Sequence, residues 1–105
     1  MDDVDAVSLL RQLRDSIDNI DAALIHMLAE RFQCTHALGR LKAQHRLASR
    51  DLGREASQVA RLRELAAVSK LDPDFAEALH AFIVREVFRQ HEAVPRGLFE
   101  DTSPQ

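Results

Sequence analysis

Residues 5–44 contain no proline and a single glycine, Gly39. Proline breaks helices and glycine is the next weakest helix former, so little in this stretch would stop a helix once begun. Leu10, Leu13, Ile17, Ile20, Leu24, Met27, Leu28, Leu38 and Leu41 recur at helical spacing, and Asp5 or Ser8 is available to start the helix. At about 1.5 Å per residue such a rod reaches about 60 Å, far beyond the three or so turns of an ordinary globular helix. It cannot bury its own apolar stripe. It must fold against later helices or lie along a second copy of itself.

The periodicity lapses over residues 45–50. Asp51 then offers an N-cap for a second helix over 52–68, carried by Val59, Leu62 and Leu65. Residues 69–71 read as a turn. Asp72 before Pro73 places a capping carboxylate ahead of a proline at the first helical position, which predicts a third helix over 73–92. Its apolar set is Phe75, Leu79, Phe82, Ile83, Val84, Val87 and Phe88. The expected fold is all-α: three helices, the first very long, making one domain over residues 1–94 with a flexible tail over 95–105.

At 105 residues a lone core is near the lower range for robust stability, which favours oligomerisation. A formal charge of −3 argues against general nucleic-acid affinity, so any anion site must be local. Cys34 is the only cysteine; no internal disulfide is possible, and the residue reads as a small buried hydrophobe in a reducing compartment. The first residues lack a basic start and an apolar core of the secretory kind, and no apolar run approaches the roughly 18 residues that span a bilayer. The expectation is a soluble cytoplasmic protein with no membrane or nucleic-acid partner.

The apolar stripe of the first helix is interrupted by Arg14, Arg31 and Lys42. Desolvating an unpaired cation costs several kcal/mol, so cations on an inward side imply that an anion belongs there. Arg31 and Lys42 are eleven residues apart. Three helical turns take about 10.8 residues, so both project at nearly one azimuth. Their Cα atoms would be about 16 Å apart, which leaves room for a small anion between two side chains reaching about 6 Å each. Arg14 lies about 25 Å further along the rod and reaches such a site only from a second chain. A second cluster, Arg50, Asp51, Arg54 and Glu55, surrounds the start of the second helix, where unpaired N–H groups and the dipole attract anions. Arginine forks suit carboxylates, while Glu55 and the Asp51 backbone suit a hydroxyl. The two clusters together point to an acidic, hydroxylated ligand.

In residue type and order, Leu13-Arg14-x-x-Ile17-Asp18-x-Ile20-Asp21, Leu28-Ala29-Glu30-Arg31, Lys42 and Arg50-Asp51-x-x-Arg54-Glu55 resemble the all-helical chorismate mutase family over residues 9–92. The resemblance implies an intertwined homodimer of three-helix chains whose active sites draw on both protomers. It implies that Arg31 and Arg54, with Arg14 of the second chain, bind the two carboxylates of chorismate. Lys42 would contact a carboxylate and the ether oxygen, and Glu55 with the Asp51 backbone would hold the ring hydroxyl. The implied reaction is the Claisen rearrangement of chorismate to prephenate, which needs no cofactor.

The chain departs from that pattern on its third helix. His91 stands where many relatives carry glutamine as a second donor to the ether oxygen, and Val87 stands where some carry serine. A shift of one residue would bring Gln90 there instead, at an azimuth about 100° away. Histidine changes charge near about pH 6.5, so it would tie the rate to pH as glutamine would not. Thr35 adds a polar group between Arg31 and Lys42, and His26, His36, His45 and His80 show no metal-ligand spacing. Three rival readings share these features: a pyruvate lyase for isochorismate, a mutase for the 4-amino analogue of chorismate, and a non-catalytic helical dimer. The Asp-x-x-Arg-Glu arrangement favours the mutase over the lyase.

Overall fold

A computed structural model of the chain describes residues 2–48 and 51–93. Arg50 and the segment 95–105 lie outside the described residues. The described residues form three helices and no strand: α1 (Asp3–Gln44), α2 (Leu52–Val68) and α3 (Pro73–Ala93). The all-α expectation and the spans of the second and third helices agree with this order.

α1 starts earlier than Asp5 or Ser8. The Asp2 carboxylate accepts the Asp5 N–H at 2.9 Å and the Asp2 carbonyl accepts the Ala6 N–H at 3.0 Å, so Asp2 is the cap. Asp3 and Asp5 in the first turn and Lys42 in the last complement the helix dipole at both ends. None of the 42 residues of α1 is buried. The chain divides into two compact units within this helix, one ending at Ala37 and the other beginning at Leu38.

In the first unit, Leu10, Leu13, Ile17, Ile20 and Leu24 are each at least 46% exposed. In the second unit α2 and α3 pack against each other as a hairpin. Ala66 is the one buried hydrophobe among the described residues, at 4% exposure. Val59, Leu62, Ile83, Val84 and Val87 are half-buried around this pair. On its outer side the Arg63 guanidinium donates to Asp74 and to Glu77, both at 3.0 Å, which raises the Arg63 pKa and ties α2 to α3. Asp72 caps α3 by accepting the Asp74 N–H at 2.9 Å, with Pro73 in the first helical position.

α1 and α2 end in the same way, and neither end uses the glycine that such a turn prefers. At the first, Leu47 N–H donates to the Lys42 carbonyl at 2.8 Å and Arg46 adopts φ 54°. At the second, Leu71 N–H donates to the Ala66 carbonyl at 2.8 Å and Lys70 adopts φ 60°. These are left-handed caps of the kind that satisfy the last carbonyls of a helix. A side chain there carries a steric cost of about 1 kcal/mol or more, partly offset by the greater entropy that glycine loses on folding. Lys70→Gly is therefore expected to stabilise the fold by about 0.5 kcal/mol. The check is a higher urea midpoint, at fixed protein concentration, with an unchanged slope.

Candidate active site

The candidate residues fall in both units. In the first, Arg14 is exposed and Arg31 half-buried. Arg31 lines a shallow groove with Leu24, Met27, Leu28, Glu30 and Cys34 along the apolar side of α1. A cation beside that stripe needs a counter-charge from elsewhere once the stripe is covered. Cys34 is exposed rather than buried. Its apolar neighbours lie on the same helix, so nothing packs over its thiol within the unit. The Thr35 hydroxyl donates to the Phe32 carbonyl at 2.9 Å, so its proton serves its own helix rather than a ligand.

The second unit holds the larger group. Lys42 is half-buried in the last turn of α1, where the negative end of the dipole favours an ammonium. Asp51 stands as the N-cap of α2 in an extended conformation, its carboxylate accepting the Arg54 N–H at 3.0 Å. That bond uses one of the donors with which a bare helix N-terminus would attract an anion. Attraction at this point therefore rests more on the exposed Arg54 guanidinium than on its amide. Glu55, one residue on, is half-buried and its N–H donates to the Asp51 carbonyl at 3.0 Å.

On α3, Val87 and His91 are four residues apart, share one helix face and are both half-buried. The His91 ring lies against α1 at Gly39: a Cβ built on that glycine would stand 3.1 Å from Cε1 and 3.8 Å from Nε2. Gly39 precedes Lys42 by three residues, so the ring rests on the face of α1 that bears Lys42. Gln90 is placed differently, with its amide donating to the Glu86 carboxylate at 3.1 Å. Arg89 and then Gln90 hold the Glu86 pKa down to about 2, so Glu86 stays anionic at any mildly acidic or neutral pH.

Lys42, His91, Val87, Glu55, Arg54 and Asp51 thus belong to one compact unit, and Arg14 and Arg31 to the other. Sequence reasoning missed Gly39, whose one visible sign was a lone glycine inside an otherwise unbroken helical pattern.

Three helices, the first of 42 residues, define an all-helical class of protein among the described residues. Residues 13–92 match the family model described as chorismate mutase type II. The chain belongs to that family. It is also 34% identical over 82 residues to the T-protein of Enterobacter agglomerans, a stretch that covers 78% of this chain and 22% of that protein. The chain thus spans about a fifth of the length of that relative. No helix among the described residues is long and apolar enough to cross a membrane.

Proposed function

We propose that the protein is a chorismate mutase that converts chorismate to prephenate. The family match over residues 13–92 carries this reading, because that span takes in all eight candidate site residues: Arg14, Arg31, Lys42, Asp51, Arg54, Glu55, Val87 and His91. The rearrangement is intramolecular. The ether C–O bond breaks as a new C–C bond forms, and no proton, nucleophile or cofactor takes part. Catalysis is then a matter of holding the enolpyruvyl arm over the ring and placing fixed donors where negative charge grows on the ether oxygen.

In this reading Arg31 and Arg54 bind the carboxylates together with Arg14 of a second copy. Lys42 and His91 donate to the ether oxygen, and Glu55 with the Asp51 backbone holds the ring hydroxyl. Val87 supplies an apolar wall near them. His91 is preferred to Gln90 as the second donor because the Gln90 amide is turned to Glu86 while the His91 ring lies on the Lys42 face of α1.

The working form is a homodimer with shared sites. Fully burying each leucine or isoleucine of the exposed α1 stripe is worth about 1.5–3 kcal/mol, and a second copy of the same helix offers a matching stripe. We place the protein in the cytoplasm, where an exposed Cys34 stays reduced.

The test is to incubate the purified protein with chorismate, isochorismate and the 4-amino analogue separately and to identify products by NMR. Prephenate from chorismate, with light scattering giving twice the chain mass, is the expected result. Pyruvate release from isochorismate would instead establish the lyase, and rearrangement of the amino analogue alone would establish that mutase. Inertness toward all three would leave the helical dimer without catalysis.

A further inference from the structure

We propose that Gly39 is a positioning residue for the rearrangement: its missing side chain lets the His91 ring lie directly on the face of α1 that carries Lys42. The role rests on the mutase reading above, and it concerns a residue that touches no substrate.

Glycine is the least favourable residue after proline in a helix interior, so Gly39 needs a reason to be there. Its backbone gives none, because no glycine among the described residues has positive φ. Space gives one. A Cβ at Gly39 would stand 3.1 Å from the His91 Cε1, inside the roughly 3.5–4.0 Å at which carbon atoms attract. Gly53 makes the contrast: a Cβ there would meet only the Asp51 carboxylate, at an ordinary 3.5 Å.

The nearest obstacle at Gly39 is the ring of a candidate donor rather than backbone. Any side chain at that position must push the imidazole away from α1 by at least a few tenths of an ångström. Donors to a transition state work within about 0.5 Å of their productive place, so a displacement of that size matters to the rate more than to the fold. Lys42 sits one turn further along the same face and keeps its own attachment, because alanine continues the helix better than glycine does.

The experiment is a double-mutant cycle of Gly39→Ala and His91→Ala, read as kcat and KM for chorismate. Gly39→Ala alone is expected to lower kcat about tenfold with KM changed by less than about threefold, and far-UV circular dichroism unchanged. In the His91→Ala background the same substitution is expected to change kcat by less than about twofold, since the ring it displaces is gone. An NOE between the Gly39 Hα and the His91 Hε1 is expected in the wild type. Wild-type kcat in Gly39→Ala, an equal loss in both backgrounds, or absence of that NOE each overturns the positioning role while leaving the mutase reading intact. A wild type that is inert toward chorismate overturns the reading, and this role with it.

Discussion

Lys42→Ala is expected to lower kcat for chorismate by about two to three decades while leaving the helical circular dichroism signal unchanged. In the proposed reaction the Lys42 ammonium is the fixed positive charge that meets negative charge growing on the ether oxygen. It stands half-buried in the last turn of α1, at the negative end of the helix dipole. Removing one such donor from a preorganised site typically raises a barrier by about 3–4 kcal/mol. Because Lys42 is also assigned a contact with a carboxylate, KM is expected to rise as well, though by less than kcat falls. The fold should survive. Alanine suits a helix and continues the last turn of α1 without strain. Steady-state kinetics on the purified variant decide the matter: activity within about tenfold of wild type would remove Lys42 from the role of principal donor.

What could be read from the chain before its structure follows from how local each determinant is. Asp51 and the Asp72-Pro73 pair mark helix starts through bonds to residues two or three positions on, so their neighbours in sequence are enough to identify them. The start of α1 was less legible. Asp2, Asp3, Asp5 and Ser8 are all competent caps, and only the bond from Asp5 N–H to the Asp2 carboxylate separates them. The ends at Arg46 and Lys70 gave no warning, because a left-handed cap is usually announced by glycine and here is not.

Side-chain surroundings were the hardest to foresee. Cys34 was expected to be buried on grounds of residue type, yet burial depends on what covers α1 and not on the thiol. The α2 N-terminus is less open to anions than a bare helix start, because its cap, Asp51, occupies one donor. The candidate site was visible as a spacing of cations along a helix, since helical periodicity is itself a local property. The contact of His91 with Gly39 was not, because it joins residues 52 positions apart and neither residue type announces the other.

The proposed sharing of sites between copies has a sharper consequence than any single substitution. Arg14→Ala and Lys42→Ala proteins, each nearly inactive alone, are expected to recover about one quarter of wild-type activity per chain when unfolded together and refolded in equal amounts. Arg14 lies in the first unit and Lys42 in the second, 28 residues further along the sequence. In the proposed site the Arg14 that serves Lys42 comes from the second copy. Random pairing of equal amounts makes about half of all dimers mixed. In each mixed dimer one site combines the intact Lys42 of the first chain with the intact Arg14 of the second, and the other site lacks both. One working site in two, in one dimer of two, gives the quarter. Mixing the folded variants without subunit exchange should restore nothing, which separates complementation from contamination. Activity after co-refolding that stays at the sum of the two variants would show that Arg14 acts within its own chain or not at all. It would also sever the link between the exposed stripe of α1 and a site shared across it.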